Sequence, residues 1–109
     1  MDLTNKNHVD LMMKEFKKLT ILKDRKYQLK TYKNCFIGTE AVDLILKTFP
    51  DNCKSREEAV DLGKLFQSKG LFSHVVKKHV FEDQFLFYRF TEHFKNFKNK
   101  SLILNNLND

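Results

Sequence analysis

The chain has 109 residues, which is enough for one domain with a modest core and too few for two. Hydrophobic residues make up 41% of it, with eleven Phe and no Trp, so the expected core is rich in phenylalanine. No apolar run approaches the roughly 18 residues of a membrane span, and Cys35 and Cys53 without a secretion signal favour free thiols in a reducing cytosol. These features speak against a membrane-spanning or exported protein.

The net charge of +6 comes from one part of the chain. Between residues 14 and 33 the basic side chains outnumber the two carboxylates, Glu15 and Asp24, by six, and the rest of the sequence is balanced. The basic residues of this block are Lys14, Lys17, Lys18, Lys23, Arg25, Lys26, Lys30 and Lys33. Such a block predicts an anionic partner or, as the simpler alternative, a solvated face.

The first predicted elements are a helix and a basic β-hairpin. Apolar residues spaced three and four apart predict a helix over 9–19. Its expected buried face consists of Val9, Met12, Met13, Phe16 and Leu19. The next stretch, 22–32, has aromatic and apolar residues without a helical period, and Lys33-Asn34 has turn chemistry before Cys35-Phe36-Ile37. This predicts a hairpin whose turn position stays open.

A glycine marks the start of the second predicted helix. Gly38 ends the strand, and Thr39 is placed to cap the helix with its side-chain oxygen. Asp43 and Lys47, four residues apart, predict a surface ion pair, and Pro50 ends the helix. The expected buried stripe is Val42, Ile45, Leu46 and Phe49.

The third predicted helix opens with a capping box at Ser55 and Glu58. It buries Ala59, Leu62, Gly63 and Phe66 and ends at a left-handed Gly70. Gly63 indicates either the close approach of another helix or a merely tolerated glycine. Two short aromatic runs, 71–76 and 85–90, then predict an antiparallel ribbon.

In this order the chain resembles the DEP domain (Dishevelled, Egl-10 and Pleckstrin), an α+β fold related to winged helices, with a hairpin inserted between its first two helices. The resemblance covers about residues 21–90. The segments that carry it are Asp24-Arg25-Lys26, Leu29-Lys30-Thr31-Tyr32, Asn34-Cys35-Phe36-Ile37-Gly38, Glu40-Ala41-Val42-Asp43, Ser55-Arg56-Glu57-Glu58-Ala59, Gly70-Leu71, His74-Val75, His79-Val80-Phe81 and Phe87-Tyr88-Arg89-Phe90. Leu44 departs from the family pattern, because many DEP domains carry Trp there.

The local patterns and the resemblance together predict a division of the chain, and the resemblance implies a role for it. Residues 1–20 form an N-terminal helix of the domain, 21–90 the DEP core, and 91–109 a docked extension or the start of a linker. DEP domains are non-catalytic adaptors that bring signalling proteins to membranes through anionic lipids, receptor tails or other docked partners. Their hosts include regulators of small or heterotrimeric G proteins. The implied protein is cytoplasmic, recruited to membranes peripherally, monomeric in isolation and part of a longer chain.

The basic residues of the hairpin are the predicted contact surface. Each Lys or Arg near an anionic leaflet contributes about 1 kcal/mol to membrane attraction, and a projecting hairpin can present several of them together. The primary residues are Lys23, Arg25, Lys26, Lys30 and Lys33, supported by Lys14, Lys17 and Lys18. Two alternatives stay open: protein docking without lipid, and a structural ion pair for Arg25. Tyr27, Leu29 and Tyr32 either face the core, the more common case, or insert into a partner.

Other functions are disfavoured by the residue patterns. The exposed side of the third helix mixes Arg56 and Lys64 with Glu57 and Asp61, which opposes docking on nucleic-acid phosphates. A zinc site lacks the usual ligand spacing, since Cys35, Cys53, His74 and His79 are scattered, and the two histidines are expected to pack within the ribbon. No catalytic motif or cofactor site is evident, and Asp43 is interpreted as a surface acid.

Overall fold

A computed structural model describes residues 6–92 of the chain. Within that range the elements are α1 (Lys6–Leu19), β1 (Lys23–Tyr27), β2 (Lys30–Ile37), α2 (Gly38–Thr48), α3 (Arg56–Ser68), β3 (Phe72–His74) and β4 (Phe87–Phe90). Three helices beside an antiparallel sheet confirm the predicted α+β, winged-helix-like class. The predicted C-terminal extension lies, apart from its first two residues, outside the described part of the chain.

The predicted hairpin and the predicted ribbon are joined in one sheet of order β1-β2-β4-β3. The junction is short: Phe36 pairs with Tyr88, and Ile37 pairs with Phe87. On the other side of β4, Phe72 pairs with Phe90 and His74 with Tyr88. Because β2 meets β4 only at its last residues, the outer part of the hairpin extends beyond the rest of the sheet.

The hairpin turns at Gln28 and Leu29, and not at Lys33-Asn34. Both turn residues have positive φ, 50° and 68°, as a two-residue turn matched to strand twist requires. Asn34 also has a positive φ, 50°, but lies inside β2, where the strand register shifts by one residue. Its backbone N–H donates to Asp24 Oδ1 at 3.0 Å. The turn-like chemistry of Asn34 therefore serves a β-bulge.

Phenylalanine rings fill the core, as the composition predicts. Phe16 of α1 is fully buried, and its ring centroid lies 5.5–6.2 Å from those of four other rings. These belong to Phe36, Phe66, Phe72 and Phe90. Leu19, expected on the buried face, is instead 43% exposed because it is the last residue of the helix.

The start of α2 corrects the predicted cap. Thr39 makes no cap, since Ile37 holds the N-cap position and no side chain bonds there. The first amides are satisfied by backbone carbonyls instead: Gly38 N donates to Leu86 O at 2.9 Å and Thr39 N to Gln84 O at 3.2 Å. A Cβ on Gly38 would lie 2.9 Å from Gln84 O and closer still to Glu82 O. Glycine is required because the loop leading to β4 approaches so closely.

The capping box of α3 is present with one change. Ser55 Oγ accepts from Glu58 N at 3.1 Å, whereas the Glu58 carboxylate accepts from Lys54 N at 2.7 Å, one residue before the predicted amide. At Gly63 another part of the chain does approach closely, since a Cβ there would overlap the ring of Phe81. The close neighbour is thus a loop residue and not another helix.

Arg56, at the start of α3, forms the ion pair with Asp43 that was expected for Lys47. Its guanidinium binds Asp43 at 2.7 Å and holds Asp83 by two bonds of 2.7 and 3.0 Å. These hydrogen bonds lower the pKa of Asp83 below its usual value. A bidentate pair of this type orients its partners more firmly than a lysine would. Arg56 therefore links α2, α3 and the loop before β4.

Candidate functional site

The outer hairpin, residues 23–33, brings together most of the predicted contact residues, and we call it the hairpin arm. Four of its lysines are exposed: Lys23, Lys26, Lys30 and Lys33. The supporting lysines lie on α1, where Lys14 and Lys18 are exposed. Lys17 is half-buried, with its Nζ 5.7 Å from the centre of the Phe90 ring. The arm is thus the densest group of exposed cations among the predicted site residues.

The strand register divides the arm into two faces. Lys30 lies opposite Tyr27, whereas Lys26 lies opposite Thr31. Because cross-strand partners share a face and neighbours alternate, Lys26 and Lys30 point to opposite sides of the arm. Lys30 Nζ lies 5.2 Å from the centre of the Tyr32 ring, within the range of a cation–π interaction. The arm can therefore present positive charge along both sides.

Arg25 differs from the other basic residues of the arm. Its side chain is only 15% exposed, and its Nη2 lies 3.6 Å from Glu40 Oε1 on α2. Its Nε donates to Cys35 O at 3.2 Å. The structural alternative for Arg25 is therefore the observed arrangement: it braces the base of the arm against α2.

Two apolar side chains of the arm are exposed and one is packed. Leu29, at the turn, is fully exposed, and Tyr27 is 52% exposed. Tyr32 is half-buried, with its ring 5.6 Å from that of Phe87, in agreement with the core-facing prediction. For Leu29 the core-facing alternative does not hold, because the turn carries this side chain away from the rest of the domain.

A groove between the arm and the β3–β4 loop, residues 75–86, was not foreseen from the sequence. It has a volume of about 270 Å³. Its lining includes Tyr27, Tyr32, Val75, Val76, Phe85 and Phe87, with His74 and His79. Tyr27 and Phe85 are 58 positions apart, so only the folded chain brings them together. We call this feature the arm groove.

The loop wall of the arm groove is held in place by hydrogen bonds from the core. Tyr88 Oη donates to Val80 O at 2.8 Å and accepts from Glu82 N at 3.0 Å. Burial raises the pKa of Tyr88 to about 12, so the donor persists at neutral pH. Gln67 of α3 adds bonds to His79 O and Phe81 N. The loop is thus a fixed part of the domain.

His74 packs within the ribbon as the sequence predicts, whereas His79 lies in the β3–β4 loop with its side chain 44% exposed. His74 is buried, its Nδ1 accepts from Val76 N and Lys78 N at 3.3 Å, and its ring lies 4.7 Å from that of His79. Desolvation lowers the pKa of His74, and the charges of His79 and Lys78 add to this effect while Glu82 opposes it. His79 Nδ1 lies 2.9 Å from Glu82 Oε2. Throughout residues 6–92, no three potential ligands are placed to hold a metal ion.

His74 makes the stability of the domain depend on pH. Because the fold disfavours its protonated form, the contribution of neutral His74 is complete above about pH 6.5 and is lost as the pH falls from there through the lower folded pKa. His74→Gln does not titrate. We therefore expect its deficit in free energy of unfolding, relative to wild type, to be larger at about pH 7.5 than at about pH 5.5.

Urea denaturation at the two pH values measures this difference. Leu11→Ser on α1, an exposed position whose replacement changes no titratable group, is the control and should show the same difference from wild type at both. A His74→Gln deficit that stays constant or grows on acidification would contradict the assignment.

Both cysteines are free and buried. Burial raises the pKa of the Cys35 and Cys53 thiols, which disfavours the reactive thiolate. Free thiols are what the sequence predicts. None of the helices in the described range, 6–92, combines the length and apolarity needed to cross a bilayer.

Comparison with known proteins identifies a family and similar proteins. The family model for the domain found in Dishevelled, Egl-10 and Pleckstrin (DEP) matches residues 18–90. Vacuolar membrane-associated protein IML1 of Scheffersomyces stipitis is 41% identical over 69 residues, 63% of this chain and 5% of that protein. The phosphatidylinositol 3,4,5-trisphosphate-dependent Rac exchanger 1 protein of Mus musculus is 41% identical over 70 residues, 64% of this chain and 4% of its own length.

The chain therefore spans about a twentieth of the length of these curated relatives. Among solved structures, the human pleckstrin DEP domain aligns with a TM-score of 0.53 and 19% identity. That alignment covers 77% of this chain and 98% of the pleckstrin domain. At such low identity the likeness concerns the fold.

Proposed function

Since the chain belongs to the DEP family, we propose that it is a non-catalytic module that holds an intracellular signalling protein at a membrane. In this proposal the hairpin arm contacts anionic lipids. Lys23, Lys26, Lys30 and Lys33 supply the charge, and Arg25 positions the arm. The observation that most strongly supports the lipid contact is that four exposed lysines flank a fully exposed Leu29 on an extension of the sheet.

The expected attraction is weak. At about 1 kcal/mol for each lysine near an anionic surface, four lysines contribute about 4 kcal/mol, which corresponds to a dissociation constant near 1 mM. Full burial of Leu29 in the interface would add about 1.5–3 kcal/mol. A contact of this strength is reversible and salt-sensitive, and it becomes firm when a second attachment site lies in the same assembly.

The relatives support the membrane part of the proposal. IML1 is described as vacuolar membrane-associated, and the Rac exchanger is described by its dependence on a phosphoinositide. We extend this to the chain as a module of a signalling protein that regulates G proteins, small GTPases or a related pathway. Binding to a receptor tail or another membrane-bound protein, without lipid, is the alternative outcome of the tests.

Nucleic-acid binding receives less support. The helix that winged-helix proteins commonly place in the major groove corresponds to α3, and its exposed side includes Glu57, Glu58 and Asp61. These carboxylates would meet phosphates unfavourably. Arg56, which could oppose them, is occupied by Asp43 and Asp83.

Vesicle sedimentation tests the lipid proposal. We expect the protein to sediment with phosphatidylserine vesicles at about 0.05 M salt and to be released at about 0.5 M, because the Debye length shortens several-fold. Phosphatidylcholine vesicles of the same size are the control and should bind little protein. Absence of binding to phosphatidylserine and phosphoinositide vesicles at low salt would overturn the lipid proposal and favour a protein partner.

A further inference from the structure

We propose that the arm groove binds a short acidic peptide segment that presents an apolar side chain. The apolar side chain would lie between Tyr27 and Phe85, and the flanking carboxylates would pair with lysines at the two rims. This interaction goes beyond the proposed attachment to lipid, because it requires no membrane and uses the β3–β4 loop as well as the arm.

The walls of the arm groove are apolar and accessible. Phe85 is 62% exposed, Tyr27 is 52% exposed and Val76 is 43% exposed. Phe85 rests on Phe87, with ring centroids 5.3 Å apart, and Tyr32 contacts Phe87 from the arm side. Exposed apolar side chains are common singly, but several lining one concave site mark a place where another molecule is bound.

The size of the groove favours individual side chains over a whole small molecule. Its volume of about 270 Å³ lies below the roughly 300–1,000 Å³ of typical small-molecule sites. Tyrosine walls, as Tyr27 and Tyr32 provide, combine an apolar ring with a polar hydroxyl, which suits a peptide side chain together with its polar backbone. The rigid loop wall keeps this shape without a folding cost on binding.

The charges at the rims select the partner's chemistry. On the arm side, Lys30 lies over the ring of Tyr32, a lining residue. On the loop side, Lys77 and Lys78 are exposed in the turn between Val76 and His79, both of which line the groove. The neighbouring carboxylate of Glu82 is paired with His79 at 2.9 Å. Basic rims around apolar walls complement a peptide in which acidic residues flank an apolar one.

Two other occupants fit less well. A second copy of this chain would bring another net charge of +6 toward basic rims, which like-charge repulsion opposes. A bilayer surface is broad, whereas the groove is a narrow concavity between two protein walls. An acidic peptide satisfies both the shape and the charge.

Selection from a phage library of short random peptides on the immobilised protein tests this inference. We expect enriched peptides to carry an apolar residue flanked by Asp or Glu. A synthetic peptide of the enriched sequence should bind wild type and bind Tyr27→Ser/Phe85→Ser about tenfold or more weakly, measured by fluorescence anisotropy. Lys77→Gln/Lys78→Gln should also weaken binding and reduce its dependence on salt.

The matched control is Leu11→Ser/Val80→Ser, which removes two exposed apolar side chains outside the groove lining. It should bind the peptide like wild type. The inference would be overturned if no peptides were enriched or if the enriched peptides lacked acidic residues. Equal loss of peptide binding in Tyr27→Ser/Phe85→Ser and in the control variant would also overturn it.

Vesicle binding separates this inference from the proposed function. Tyr27→Ser/Phe85→Ser should still sediment with phosphatidylserine vesicles. If wild type fails to sediment, the lipid proposal falls while the peptide result stands. If the groove variant alone loses vesicle binding and no peptide is selected, the groove contacts lipid and the peptide inference falls.

Discussion

Replacement of Gly63 by alanine is expected to destabilise the domain by about 2 kcal/mol, although the same change normally stabilises a helix interior by about 0.5–1 kcal/mol. A Cβ at this position would lie 3.0 Å from Phe81 Cγ and closer still to two other carbons of that ring. Overpacking of this kind costs about 1–3 kcal/mol, and the overlap with the ring places Gly63 at the upper end. The gain in helix propensity offsets about 0.5–1 kcal/mol of this cost, which leaves about 2 kcal/mol.

Phe81 has no room to retreat. It is fully buried, and its ring lies 5.5 Å from that of Phe72 and 5.4 Å from that of Tyr88. Its backbone N–H donates to Gln67 Oε1 at 2.7 Å, which ties the residue to α3. The added methyl must therefore displace the ring, the loop or the helix.

A double-mutant cycle with Phe81→Leu provides the control. Phe81→Leu alone should destabilise by leaving space, and Gly63→Ala should fill part of that space. The free energy of unfolding of the double variant, from urea denaturation, should therefore exceed the value expected from adding the two single effects. If Gly63→Ala is as stable as wild type, or if the two effects add, the assigned contact is wrong.

Charge reversal on the arm is expected to abolish attachment to anionic vesicles. Lys26→Glu/Lys30→Glu removes two positive charges and adds two negative ones, a change of about 4 kcal/mol at 1 kcal/mol per charge, or about a thousandfold in affinity. Because the two lysines lie on opposite faces of the arm, the variant alters both sides. Sedimentation with phosphatidylserine vesicles at low salt measures the loss.

The matched control is Lys47→Glu/Lys64→Glu, which makes the same change in net charge at exposed positions of α2 and α3. It should retain most of the binding. Both variants should keep the circular dichroism spectrum and melting behaviour of a folded domain, since all four lysines are exposed. Equal loss of binding in the two variants would show that net charge, and not the arm, causes attachment.

Local patterns in the sequence predict much of this fold. The apolar spacing of α1 and the Ser55 capping box depend on residues three or four apart. Both helices form, although α1 begins at Lys6, three residues before its predicted start. Gly70, with a φ of 88°, likewise ends α3 as predicted. These elements are predictable because their physical causes lie within a single helical turn.

The errors arise where distant parts of the chain meet. Thr39 is a suitable cap, but carbonyls from the loop before β4 satisfy the amides of α2 first. Asp43 faces Lys47 one turn away, yet Arg56 reaches it from α3. The turn at Gln28 and Leu29 has neither glycine nor asparagine, so the usual signal of a two-residue hairpin is missing.

The candidate surface likewise combines features that local sequence patterns predict with features that depend on contacts between distant residues. Exposed lysines on the arm follow from the charged strand sequence, but the ion pair between Arg25 and Glu40 depends on how the arm meets α2. The arm groove forms only because folding brings Tyr27 and Phe85, which are far apart in the sequence, close together. Spacing rules contain no information about such convergence.

The two-residue turn of the arm has a consequence for protein engineering. A designer who wished to raise the melting temperature would replace Gln28-Leu29 with Asn-Gly, the pair that most readily adopts two successive positive φ angles. That consensus choice would remove the apolar tip of the arm. Thermal optimisation and retention of the tip thus make opposite demands on the same two positions.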